Sequence, residues 1–144
     1  MQQNQRTIKK AVSISGQGLH TGIETTVTFK PASAGHGICF VRTDLEKTIP
    51  ALATFITVTN RGTQLENDGA IVQTTEHALA AVTSLGIDNL IIEITQSELP
   101  ILDGSSAPFT QILEEAGIEQ QDALRRYYKP NKSFHFRVEE TDTD

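Results

Sequence analysis

The sequence predicts an α+β domain, a mostly antiparallel sheet with two helices packed on one face. Three observations carry that expectation. In the first half, apolar and polar residues alternate at strand period, best seen where Thr25, Val27 and Phe29 alternate with Thr26, Thr28 and Lys30. In the second half, Ala78, Leu79, Val82 and Leu85 fall at helical spacing, and so do Phe109, Ile112, Leu113 and Ala116. With 144 residues, 38% hydrophobic and 21% charged, the chain suits one compact domain with its own core.

Ile8, Val12 and Ile14 occupy even positions and read as one weakly alternating strand ended by Gly16. Gly16 to Gly22 is a glycine-rich connection. The Thr25–Phe29 strand follows and is stopped by Pro31. Ala34-Gly35-His36-Gly37 reads as a turn and Ile38–Arg42 as the next strand, completing an antiparallel meander. Ile49 and Pro50 open a less regular region. Two short strands are expected at 63–65 and 71–73, joined by the turn Asn67-Asp68-Gly69.

Thr74 or Thr75 can cap a helix that runs to about Leu85 and stops at Gly86. Asn89 to Thr95 reads as a buried strand. Beyond a loop from Pro100, Ser105 or Ser106 can cap a second helix, with Pro108 in its first turn and Gly117 at its end. Arg125, Arg126 and Lys129 read as a solvated entry to a strand of Phe134, Phe136 and Val138. The acidic run Glu139 to Asp144 reads as a cut between domains as much as a natural terminus.

Composition excludes several classes. A single cysteine, Cys39, rules out an intramolecular disulfide and a cysteine zinc finger, and its place in a strand marks it as unreactive. A net charge of −6, 6% aromatics and no tryptophan argue against a nucleic-acid partner. The polar N-terminus has no targeting signal, and no apolar run approaches the roughly 20 residues of a membrane span. A cytoplasmic protein without stable membrane insertion is expected.

The residues that could carry chemistry sit in three places. Glu76 and His77 fall in the first turn of the first helix. An uncharged imidazole there can bind a metal, and an ionised carboxylate beside it can take a proton from water; a solvated first turn is the plain alternative. The loop Gly16–Gly22 lacks the spacing of a nucleotide-binding loop. It reads as a tight connection that could present Leu19 and His20 to a ligand. Asp103-Gly104-Ser105-Ser106 reads as a turn and helix cap, although Asp103 or His20 could approach His77 in space. Catalytic zinc takes about three protein ligands, and no second histidine lies one helical turn from His77. Either the site is not metallic or its other ligands lie outside these residues.

Taken in order, Gly18-Leu19-His20-Thr21-Gly22, Arg42-Thr43-Asp44-Leu45, Thr75-Glu76-His77, Leu85-Gly86-Ile87-Asp88-Asn89 and Pro100-Ile101-Leu102-Asp103-Gly104-Ser105, with Pro108-Phe109, form a recognisable series. It resembles the N-terminal half of the zinc-dependent UDP-3-O-acyl-N-acetylglucosamine deacetylases of lipid A synthesis. The resemblance implies that residues 1–144 are one half of a two-domain sandwich with helices between the sheets, the second catalytic domain being absent. It implies His77 as a zinc ligand, Glu76 as the general base, and Leu19 and His20 as substrate-binding residues. The other two ligands, a His and an Asp, belong to the missing domain. The chain alone is therefore expected to be inactive and to self-associate through exposed helix faces, with Ala81 and Val82 as candidates. Thr59-Asn60-Arg61-Gly62-Thr63 departs from the apolar residues of some members. In some bacteria such deacetylases are fused to a hydroxyacyl-carrier-protein dehydratase. The competing reading is a non-catalytic module for small ligands or oligonucleotides, suggested by the early strands and the Arg125–Lys129 cluster.

Overall fold

A computed structural model describes residues 3–57 and 62–135 of the chain. The elements in order are β1 (Asn4–Ile8), β2 (Val12–Gln17), β3 (Glu24–Pro31), β4 (Ile38–Arg42), β5 (Lys47–Pro50), β6 (Ile56–Thr57), β7 (Gln64–Asn67), β8 (Ala70–Val72), α1 (Glu76–Ser84), β9 (Leu90–Ile94), α2 (Ala107–Ala116) and β10 (Ile118–Leu124). The fold is α+β, as expected. Its centre is a five-stranded sheet in the order β2-β3-β9-β4-β5, flanked by a β1-β10 ribbon and a small β6-β7-β8 sheet.

Strand alternation decides which side of the central sheet is dry. Val27 and Phe29 on β3, Phe40 on β4, Ile49 on β5 and Ile92 and Ile94 on β9 are fully buried. The opposite face carries Ser13–Thr28 and Ser15–Thr26 hydroxyl pairs and the Lys30–Glu93 ion pair. Phe109 of α2 meets Phe29 edge-on, with ring centroids 6.2 Å apart. Such a pair adds about 0.5–1.5 kcal/mol beyond area burial. Leu113 and Ala116 bury the rest of the α2 stripe, and α1 buries Ala78, Ala81 and Val82.

Several expectations need correcting. The stretch from Ile8 to Gly16 is two strands in two sheets, broken at Lys9, whose amide donates to the Gly117 carbonyl; Gly16 lies inside β2. The early strands are not a meander, because β9 inserts between β3 and β4 and runs parallel to β4. Ile49 and Pro50, expected to open a less regular region, instead end a strand from Lys47 that pairs with β4 as a hairpin. Ile118 to Leu124, which no periodicity signalled, forms β10 against β1.

Arg125 is not a solvated strand entry. It follows β10 and its guanidinium donates to both oxygens of Asp88 and to the Gly86 carbonyl. Of the expected Phe134, Phe136 and Val138 strand, Phe134 is exposed outside any strand, while 136 and 138 lie outside the described residues. Within Thr59–Thr63, residues 59–61 also lie outside them. Ala81 and Val82 point into the core instead of offering a surface, and neither helix carries a large exposed hydrophobic side chain. No helix among the described residues is long and apolar enough to cross a membrane. Burial raises the Cys39 thiol pKa, in keeping with an unreactive cysteine.

Candidate functional site

The site gathers at the N-terminal end of α1. The hairpin β7-β8 turns through Asp68 and Gly69, both at positive φ (49° and 76°), the geometry that matches strand twist. The chain then passes Gln73 and reaches Thr74, a β-branched residue at φ 57°. That left-handed conformation is strained for threonine and persists only where surroundings over-determine it. Here they do: the Gln73 amide donates to the Ser97 carbonyl, the Leu99 amide to the Gln73 carbonyl, and the Thr75 amide to the Thr63 carbonyl. The kink at Thr74 swings the chain from strand into α1.

Thr75 occupies the cap position, but its hydroxyl donates to the Thr63 carbonyl and makes no cap bond. Glu76 and His77 follow as the first helical residues, both half-buried. The Thr63 amide donates to Glu76 Oε2 at 3.0 Å, fixing the carboxylate. The His77 imidazole hydrogen-bonds to none of the described residues. Asp103, on the loop before α2, has its carboxyl held below the usual range. The chief causes are the Ser105 hydroxyl and amide, which donate to Asp103 Oδ1 at 2.8 and 2.9 Å, and the neighbouring His77 adds a smaller electrostatic effect. Another left-handed residue, Leu102 at φ 53°, precedes that turn.

Leu19 and His20 ride on the connection between β2 and β3, both exposed, Leu19 at 58%. Beneath them sits Glu98, which the sequence did not single out. It is fully buried, and its Oε1 accepts from the His20 amide (3.0 Å) and the Thr74 hydroxyl (2.9 Å) while Oε2 accepts from the Thr21 amide (2.8 Å). Burial pushes its pKa up, but these bonds together with the Thr21 hydroxyl outweigh it and hold the carboxyl below its usual range. A side chain at Gly18 would push the Glu98 carboxylate and the Thr21 hydroxyl from their places, so glycine leaves the carboxylate on its donors. No local signal could have exposed Glu98, because its partners lie 24 to 78 residues away in sequence.

The structure thus places the predicted pair Glu76 and His77 side by side, brings Asp103 near them, and links the His20 loop to the same helix start through Glu98. Among the described residues no three His, Cys, Asp or Glu side chains converge to hold a metal ion. Among the described residues, the start of α1 offers a metal the His77 imidazole beside a carboxylate anchored by the Thr63 amide, a chemically suitable but partial donor set.

A family model described as LpxC, UDP-3-O-acyl N-acetylglycosamine deacetylase, matches residues 5–143. The chain is 49% identical over 122 residues to the UDP-3-O-acyl-N-acetylglucosamine deacetylase of Myxococcus xanthus, covering 83% of this chain and 39% of that protein. It is 46% identical over 139 residues to the bifunctional enzyme LpxC/FabZ of Bacteroides thetaiotaomicron, covering 95% of this chain and 30% of that one. Against the deacetylase of Actinobacillus pleuropneumoniae serotype 3 it is 45% identical over 141 residues, 96% of this chain and 45% of the relative. The chain therefore spans less than half the length of these relatives.

Proposed function

The chain belongs to the UDP-3-O-acyl N-acetylglycosamine deacetylase family, and from that premise we propose that it supplies the glutamate–histidine half of a zinc-dependent amide hydrolase. The substrate is a UDP-linked, 3-O-acylated N-acetylglucosamine, and the reaction removes its 2-acetyl group in lipid A synthesis. Supporting this reading is the contrast at the start of α1, where Glu76 is anchored by the Thr63 amide and the His77 imidazole is unengaged among the described residues.

In this reading His77 is one zinc ligand, and residues 1–144 are the N-terminal domain of an enzyme whose second domain brings a His and an Asp to complete the set. Polarisation of the amide carbonyl and activation of the attacking water are the chemistry that a zinc bound there supplies. Glu76 takes the proton from that water, and the Thr63 bond to Oε2 fixes the direction from which it does so. Leu19 offers the substrate an apolar contact and His20 a hydrogen-bonding ring. The enzyme works in the cytoplasm, without stable membrane insertion and without nucleic acid.

The test compares acetate release from UDP-3-O-acyl-N-acetylglucosamine by two proteins, this chain alone and this chain joined to the second domain of a relative. Zinc-dependent release by the joined protein and no appreciable release by the chain alone is expected. Hydrolysis that survives chelation, or full turnover by the isolated chain, would overturn the proposal.

A further inference from the structure

We infer that Glu98 is a positioning residue: its one carboxylate sets both the loop that presents Leu19 and His20 and the kinked segment that delivers Glu76 and His77. The inference deepens the proposed function and rests on it for the substrate; the positioning itself stands on geometry alone.

Two successive amides, those of His20 and Thr21, point inward at Glu98 and form a small anion-holding concavity in the backbone. Because their N–H groups face the carboxylate, the loop is held with the Leu19 and His20 side chains exposed outward. The same Oε1 that receives the His20 amide also receives the Thr74 hydroxyl. Thr74 is the strained residue three positions before His77, and its φ of 57° sets the direction in which α1 begins. Loop and helix start are thus two arms of one buried charge. Gly18 keeps the space into which the carboxylate fits.

A merely structural need for buried acceptors does not call for a carboxylate. At the far end of β9 this fold satisfies the half-buried Gly37 amide and the buried Asn89 side chain with the neutral side chains of Gln5, Asn89 and Gln121. An anion is costly to bury unless several donors converge on it. Glu98 has them, and they come from the two segments that carry the candidate site.

The experiment uses Glu98→Gln, which keeps the shape but turns an NH₂ toward inward-facing donors, and Glu98→Asp, which keeps the charge on a shorter arm. Leu113→Ala, in the α2 core, serves as a reference of lowered stability. In the 144-residue chain, NMR measures amide exchange at His20 and Thr21 and the φ-dependent coupling at Thr74. Glu98→Gln is expected to speed exchange at both amides about ten- to a hundredfold, the range for losing charge-assisted bonds, and to shift the Thr74 coupling. Glu98→Asp restores part of both, and Leu113→Ala lowers the melting temperature without either local change. In the protein joined to the second domain, Glu98→Gln raises KM for the UDP-sugar more than it lowers kcat.

Unchanged exchange and coupling in Glu98→Gln would overturn the inference, as would the same local changes in Leu113→Ala. Release of the loop without a change in KM would overturn its link to substrate. Absence of hydrolysis by the unsubstituted joined protein would sink the proposed function instead, while the NMR result still decides whether Glu98 couples the two segments.

Discussion

Two buried polar clusters sit at opposite ends of β9, and they are built differently. Before the strand, Asn89 donates to the side-chain oxygens of Gln5 and Gln121 and accepts from the Gly37 amide. Gln5 in turn accepts from Gly35, and Gln121 donates to Ala32. Every member is a neutral amide, and the network ties β1, β10 and the 34–37 turn to the central sheet. After the strand, a single carboxylate collects donors from a loop and from a strained residue. The first cluster holds strands that would pair anyway. The second holds segments with no ladder of their own. The charge is added where the backbone is otherwise held only by isolated bridges and single hydrogen bonds.

The comparison breaks most visibly in the residues that the second cluster supports. In the protein joined to the second domain, Glu76→Ala should lower turnover by roughly a hundred- to ten-thousandfold, typical of losing a general base, with zinc content retained. His77→Ala should lose zinc and turnover together. Both should melt near the unsubstituted protein. Metal analysis, steady-state kinetics and calorimetry on each variant decide it, and zinc lost from Glu76→Ala but kept by His77→Ala would reverse the two roles.

At the other end, Asn89→Ala should cost about 1–3 kcal/mol for each orphaned buried partner, read by denaturant unfolding. Turnover per folded molecule should be unchanged. If activity fell with stability, the two ends of β9 would not be separable.

A third measurement follows stability with pH. The Glu98 carboxyl is depressed in the folded protein, so its contribution is present above the unfolded value of about 4.3 and is lost as the pH falls through the folded value. Asp44, lowered chiefly by its bond from Arg42, adds in the same direction. Unfolding free energy should therefore drop on the acid side, and Glu98→Gln should flatten that drop while Asn89→Ala leaves its slope alone. The smallest effect is Ser105→Ala. It removes the leading cause of the lowered Asp103 and should raise that group's titration toward the ordinary carboxylate value by NMR, with a small fall in melting temperature because the Ala107 amide also loses its bond to the Ser105 hydroxyl.

What the sequence revealed follows from where burial is one-sided. Thr25, Val27 and Phe29 announce β3 because one face is dry and the other wet. Ala78 and Val82, or Phe109 and Leu113, announce helices for the same reason. The ribbon strand β10, with the sequence Ile-Glu-Gln-Gln-Asp-Ala-Leu, buries no residue fully and left no pattern to read. Asn89 and Glu98 owe their importance to partners far along the chain, so neither could be weighed locally. Glu76 and His77 were found because a helix start is a local feature. Their relation to Asp103, and the carboxylate beneath the His20 loop, required the fold.

The parallel pairing of β9 with β4 has a consequence for how the molecule comes together. The hairpins β2-β3 and β4-β5 can each close over short loops, but their edges do not pair with each other. The strand that joins them arrives about fifty residues after β4, with α1 between. Contacts of that span slow the search for the native state. During synthesis, the first two hairpins must remain apart, with unpaired edges, until residue 94 is available to slide between them.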